Sequence, residues 1–380
     1  MNCFAVVAPG LESLALAEAR ALGLPAQPEP GGGGIAWEGD LRSVVLANMG
    51  LRIATRVVVR LASFHARSFA ELERHARRVP WSSVVSRGDA VSFRVTSKKS
   101  RLYHSDAIAQ RMGDAVQRAF PDVRVEGADD DEDDEDDAGG AQRFVVRMFR
   151  DECTVSADSS GELLHRRGWR LATAKAPLRE TMAAAVIAAS GWDATSPLVD
   201  PFCGSGTIPI EAALLARRIA PGVSRRFAVE RWPGVGSALL TELRATFASR
   251  QLERSSAIIA GSDRDAGAIA AARANAQRAG VLDDAALVVR GLSALELPAK
   301  GPGWIVSNPP YGVRVGEEAR VRDLWAHLGN VLRARAPGWR LALLSPGPAL
   351  ERQLGIPVRV VATTSNGGIP VRIVVGEISA

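Results

Sequence analysis

From about Leu171 onward, short apolar segments alternate with segments of helical spacing, and this alternation most limits what the chain can become. Strands joined by helices run parallel, because each crossover brings the chain back to the edge it left. Pro197–Asp200 reads as the first strand, followed by a helix over Ile208–Ile219. Ala257–Ala260 is a second strand ending at Gly261-Ser262-Asp263, with a helix from about Ala266 to Ala279 that Gly280 terminates. Leu287–Arg290, Trp304–Val306 and Leu341–Leu344 supply three more strands, and Leu324, Leu328 and Val331 mark one helix face. Val358–Val361 and Val371–Val375, around Asn366-Gly367-Gly368, read as a β-hairpin at the sheet edge.

The first strand ends in Asp200-Pro201-Phe202-Cys203-Gly204-Ser205-Gly206-Thr207. Glycines there permit a tight turn and close backbone approach, and the following helix offers free N–H groups and its positive end to a ligand. Asp263, with Asp265 as second choice, can accept hydrogen bonds from ribose hydroxyls at the end of the next strand. The loop lacks the Gly-Lys-Ser/Thr of a phosphate-binding ATPase. Position 209 is Pro where a dinucleotide site wants a third glycine, so an adenosyl cofactor without a pyrophosphate fits better. An ordinary strand–helix turn plus a capping Asp is the plainer reading of each half alone.

About a hundred residues later stands Ser307-Asn308-Pro309-Pro310-Tyr311-Gly312. The nitrogen of a nucleobase amine is a poor nucleophile because its lone pair is delocalised into the ring. An Asn308 side-chain oxygen and the Pro309 carbonyl can both accept from that NH₂, the prolines hold them in place, and Tyr311 can stack on an extruded base. With the glycine loop, this points to methyl transfer from S-adenosylmethionine. A Pro-rich turn is the plain alternative.

The N-terminal part reads as α+β. Phe4–Val7, Ile35–Glu38, Val57–Leu61 and Ala90–Val95 look like strands. Leu11–Leu24, a segment from Leu41 capped by Asp40, and Ser105–Phe120 look like helices, while Phe144–Met148 and Thr154–Ala157 pair as a hairpin. Asp129–Asp137 is an unbroken run of nine acids, read as a disordered insertion. Net charge is +5, but without that run 47 basic residues face 33 acidic ones, a net +14 that suits a polyanion. Lys98, Lys99, Arg101 and Tyr103 combine cations with an aromatic ring, as single-stranded RNA sites do. Arg166 and Arg167, near the domain junction, are similar in kind.

Three cysteines far apart and five scattered histidines indicate neither a disulfide framework nor a metal site. No apolar run approaches bilayer length, so a cytoplasmic location is expected.

With these residues in hand, the chain resembles the THUMP-domain RNA methyltransferases, closest to bacterial 23S rRNA (guanine-N2)-methyltransferases. The resemblance rests on Gly10-Leu11-Glu12, His165-Arg166-Arg167-Gly168-Trp169-Arg170, Ala176-Pro177-Leu178-Arg179-Glu180-Thr181, Asp200–Thr207, Gly261-Ser262-Asp263 and Ser307–Gly312. It implies an α/β fold: a C-terminal Rossmann-like class I methyltransferase, a parallel sheet with a C-terminal antiparallel hairpin. An α+β ferredoxin-like/THUMP module would precede it. The implied boundaries are a ferredoxin-like subdomain over 1–50, a THUMP RNA-binding domain over 51–160 and the methyltransferase domain over 161–380. Glu180 and Thr181 would lie near the cofactor's methionine end. Where the family carries an acid to meet the adenine, this chain reads Arg290-Gly291-Leu292-Ser293, so Ser293 or a backbone group would substitute.

The expected activity is therefore methylation of guanosine N2, with 23S rRNA as substrate. A tRNA guanine-N2 methyltransferase, a DNA adenine-N6 methyltransferase and a non-catalytic RNA-binding assembly factor remain as alternatives. The long basic N-terminal part favours RNA over DNA.

Overall fold

A computed structural model describes residues 1–127, 140–171, 178–298, 301–311 and 318–379. The acidic run 129–137 lies outside the described residues. Two sheets organise the chain. The first contains β1 (Asn2–Val6), β2 (Gln27–Pro28), β3 (Gly34–Glu38), β4 (Arg56–His65), β5 (Ala90–Lys98), β6 (Arg124–Val125), β7 (Gln142–Phe149) and β8 (Glu152–Asp158). Their order is β2-β3-β1-β4-β8-β7-β5-β6, so one sheet runs through the whole N-terminal part. The hairpin expected between residues 144 and 157 forms, with Phe144 opposite Ala157. Asp40 caps the helix α2 (Leu41–Gly50) as expected, accepting from the Ser43 amide at 2.8 Å. The other helices of this part are α1 (Glu12–Ala21), α3 (Phe69–Ala76) and α4 (Ser105–Ala119).

The second sheet contains β9 (Leu198–Asp200), β10 (Ile259–Asp263), β11 (Ala285–Val289), β12 (Trp304–Ser307), β13 (Arg340–Ser345), β14 (Val358–Asn366) and β15 (Ile369–Glu377). Its order is β11-β10-β9-β12-β13-β15-β14. β9 to β13 are parallel, and the closing hairpin adds antiparallel β15 with β14 at the edge. Six helices accompany it: α5 (Glu180–Ser190), α6 (Thr207–Ala216), α7 (Ser237–Ala248), α8 (Ala266–Arg278), α9 (Glu318–Arg335) and α10 (Pro348–Leu354). The strand order reverses between β9 and β12, and ligands of such sheets enter at the carboxyl ends there.

Strand alternation explains the layering. Along β13, Leu341 and Leu343 face α9 and α10, while Ala342 and Leu344 join the core beneath α5 and α6. That second core continues without a break into the N-terminal sheet, taking in Ala5, Val57 and Phe144. No helix among the described residues is long and apolar enough to cross a membrane.

The two parts also meet through buried charge. Glu211 of α6 pairs with Arg52 and Arg167 at 3.4 Å each, and within the N-terminal part Glu18 of α1 steadies the Arg52 segment by accepting from the backbone amides of Arg52 and Ile53 at 2.7 and 3.1 Å. A second meeting point is Gly10, at φ +88°, whose missing side chain lets its backbone lie against the Thr363 carbonyl of β14. Gly10→Ala would require both a left-handed alanine and an overlap with that backbone oxygen. It should cost about 2 kcal/mol or more. Urea unfolding measures this, and an unchanged midpoint would mean that the close approach is absent.

Candidate active site

The site forms where β9 and β12 end side by side. Ile305 is in register with Val199, so Asp200 and Ser307 emerge as neighbours, and the Ser307 hydroxyl donates to Asp200 Oδ1 at 2.5 Å. The Phe202 amide donates to the same oxygen at 3.0 Å. Asp200 is fully buried, and burial pushes its carboxyl up to about 7 despite these donors, with Asp263 adding to the rise.

Beyond Asp200 the chain turns through Pro201, Phe202 and Cys203 into Gly204 and Gly206, at φ +52° and +87°. A Cβ on Gly206 would sit 2.9 Å from the Ala272 Cβ of α8, so that glycine allows the loop to pack on the helix. A Cβ on Gly204 would meet nothing within 4 Å, which leaves open space before the loop. Asn275 of α8 donates to the Ser205 carbonyl at 3.1 Å, holding the loop from behind. Cys203 is buried, and burial pushes its thiol well above the ordinary range, which disfavours the thiolate.

Asp263 ends β10 and accepts from the Gly204 amide at 3.1 Å and the Asp265 amide at 3.0 Å. It thus braces the glycine loop, and a carboxylate has further lone pairs for a ligand. Asp265 instead caps α8, accepting from the amides of Gly267 and Ala268. That separates the two acids, because only Asp263 touches the loop. Ser293 is exposed, with its hydroxyl 2.9 Å from His327 Nε2.

On the other side stands the Asn308 loop. Asn308 is half-buried, yet its Oδ1 is sealed from solvent with no hydrogen-bond partner among the described residues. Such an atom is costly unless something satisfies it. Pro309 is buried and Pro310 exposed. The Pro310 carbonyl accepts from the indole N–H of the fully buried Trp325 at 3.0 Å, which pins the loop to α9. The half-buried Tyr311 accepts a hydrogen bond from Asn366 at 2.8 Å.

Glu180 and Thr181 begin α5 and are buried. Glu180 pairs with Arg170 at 3.0 Å, and burial still raises its carboxyl to about 7. Arg170 also donates to the Thr207 hydroxyl at 3.0 Å, linking Glu180 to the start of α6. An open-fronted glycine loop, an acid on the neighbouring strand end and an unpaired acceptor opposite fit a nucleoside cofactor beside a hydrogen-bond donor.

The residues expected to touch RNA lie apart. Lys98 ends β5, Lys99 follows at φ +55°, and the Arg101 amide is held by Asp151 at 2.8 Å. Tyr103 is 69% exposed. These residues stand by the β7–β8 turn, where the guanidinium groups of Arg147 and Arg150 lie 5.5 and 5.2 Å from the Phe149 ring centre. Arg166 is half-buried. Arg167 needs correction. Expected at the RNA face from its charge, it is instead buried, and its guanidinium holds Glu211 and the carbonyls of Leu164 and Arg52. It fastens the two parts together and is out of reach of a phosphate.

Sequence reasoning missed Arg170, Asn275, Trp325 and Asn366 as parts of this site. Asn366 signalled only turn chemistry, and Trp325 was hidden among helix-face residues.

Residues 167–371 match a family model described as an RMKL-like methyltransferase domain, and residues 2–58 match one described as the RlmL ferredoxin-like domain. The chain is 32% identical to slr0064 of Synechocystis sp., a candidate RNA methyltransferase, over 97% of this chain and 94% of that one. It is 33% identical to the ribosomal RNA large subunit methyltransferase K/L of Syntrophotalea carbinolica, over 97% of this chain and 52% of the relative, so it spans about half that protein's length. Among solved structures, SMU.472, a candidate methyltransferase complexed with SAH, superposes with a TM-score of 0.87 at 30% identity, covering 100% of this chain and 98% of that one.

Asp200 also sets a pH dependence. Its carboxyl is raised in the folded chain, so the stability linked to it is complete below about pH 4 and is lost as pH rises through about 7. Asp200→Asn retains acceptors for Ser307 and Phe202 but cannot ionise. Its melting temperature should therefore fall less than the wild type's between pH 5 and pH 8, and parallel curves would contradict the buried carboxyl.

Proposed function

The chain belongs to the RMKL-like methyltransferase family, and from that membership we propose that it is an S-adenosylmethionine-dependent RNA methyltransferase. Its target is the exocyclic N2 amine of a guanosine, in 23S rRNA. The observation that carries this reading is the buried Asn308 Oδ1, without a hydrogen-bond partner among the described residues and one strand away from the glycine loop. An amine N–H supplies a partner there once the groups covering this oxygen move aside to admit the base.

Glycines 204 and 206, with Asp200, Pro201, Cys203, Ser205 and Thr207, would hold the cofactor along one wall. Asp263 would accept from its ribose hydroxyls, Glu180 and Thr181 would hold its methionine end, and Ser293 would serve near the adenine. When bound, the cofactor supplies an electrophilic methyl group on a sulfonium.

The chain's own residues prepare the nucleophile. Asn308 Oδ1 and the Pro309 carbonyl accept from the amine and so orient its lone pair, while Tyr311 stacks on the base. The Trp325 bond to the Pro310 carbonyl keeps this loop from relaxing. The prolines and the Trp325 bond limit how far these acceptors must move once the base has been admitted. The first 160 residues dock the RNA through Lys98, Lys99, Arg101 and Tyr103, with Arg166 adding a cation just past that boundary. The boundaries at residues 50 and 160 belong to this proposal.

Nucleoside mass spectrometry of rRNA and tRNA from a deletion strain tests the substrate. Loss of N2-methylguanosine from large-subunit rRNA supports it, whereas intact rRNA with altered tRNA transfers the activity to tRNA. Within the site, Asn308→Ala should lower turnover by roughly a hundredfold or more while leaving S-adenosylmethionine affinity unchanged. Asp263→Ala should weaken cofactor binding. Equal effects of the two substitutions on affinity and turnover would refute these roles.

A further inference from the structure

We infer that Asn366, in the turn of the C-terminal hairpin, is a positioning residue that sets the orientation of the Tyr311 ring. Topology brings them together. β14 and β12 run in the same direction, because β13 is parallel to β12 and two antiparallel pairings then lead to β14. The last residue of β14 therefore stands at the carboxyl edge, where β12 delivers Asn308 and Tyr311. Asn366 faces Ile369 across a two-residue turn whose glycines, 367 and 368, have φ of +56° and +78°.

An asparagine in a turn usually serves its own backbone. Asp193 illustrates that habit, accepting from the amides of Thr195 and Ser196 at 2.8 and 2.7 Å. Asn366 instead directs its side-chain amide out of the turn, donating to the Tyr311 hydroxyl at 2.8 Å. Both side chains are half-buried, so the bond is partly shielded from water and fixes a ring that a Pro-Pro loop alone would leave free about its own χ angles. With its oxygen accepting from Asn366, the phenol keeps its proton for another partner. The contact with Gly10 lies three residues before Asn366, at Thr363, so the strand carrying the clamp is itself held by the N-terminal part.

This rests on the reading of Tyr311 as the surface on which the target base stacks. The test is a double-mutant cycle on the full chain, using rRNA from the deletion strain and S-adenosylmethionine. Asn366→Leu should lower kcat about tenfold, with KM and cofactor affinity within about twofold. Tyr311→Phe should do the same, and the double variant should be no worse than either single one. Asn366→Asp, which keeps a hydrogen bond by accepting from the phenol, should recover most of kcat. Multiplicative losses, or a loss carried by weakened cofactor binding, would overturn the inference.

A second measurement needs no activity. The chain has only two tyrosines, so protein labelled with [13Cζ]tyrosine gives two signals, and Tyr311→Phe assigns them. Asn366→Leu should shift the Tyr311 signal and leave the Tyr103 signal in place; an unmoved Tyr311 signal would sink the inference. If wild-type protein fails to methylate this rRNA, the substrate reading fails, and the NMR result still decides the contact.

Discussion

Where β9 and β12 run side by side, a serine hydroxyl donates to a buried aspartate, and the rest of the site is arranged around that bond. Asp200 ends one strand and Ser307 the next, so their contact fixes the spacing of two loops that share no sequence neighbourhood. The glycine turn leaves from one and the Asn308 turn from the other. A bond sealed from water is strong, and it resists displacement by solvent. The same burial keeps the Asp200 carboxyl near neutral pH and makes its ionisation a cost that the fold carries.

Around this pair the supports are layered. Asp263 and Asn275 hold the glycine loop from the next strand and from α8. Trp325 holds the Asn308 loop from the opposite face of the sheet. Arg170 ties Glu180 to Thr207, and Glu211 on the same helix reaches Arg52 and Arg167. Buried charges of this kind contribute little net stability, since desolvation offsets attraction, but removing one partner strands the other. Their effect here is to set how the N-terminal sheet sits against the helix that starts at the glycine loop.

Much of this was legible in one dimension because local chemistry decided it. The five parallel strands, the closing hairpin, the Asp40 cap and the strand–glycine–helix turn follow from periodicity and from residues with narrow conformational preferences. Asp263 was separable from Asp265 only by structure, since either acid suits a strand end and a cap alike. Arg167 was misplaced because charge alone does not reveal whether a guanidinium meets water or a buried Glu211. Helix α5 was overlooked: eight of its eleven residues are buried, so its sequence shows no polar face to set a period.

The amino-acid order by itself fixed the alternation that forces a parallel sheet, the glycines that let the chain turn at positive φ, and the asparagine–proline segment at a strand end. Each depends on neighbours within a few residues. Which side chains from distant segments meet was decided by strand order in space: Asp200 with Ser307, Asn366 with Tyr311, and Arg167 with Glu211 are 107, 55 and 44 residues apart in the chain. Register and crossover bring those pairs within hydrogen-bonding reach, and no local pattern encodes a partner so far away.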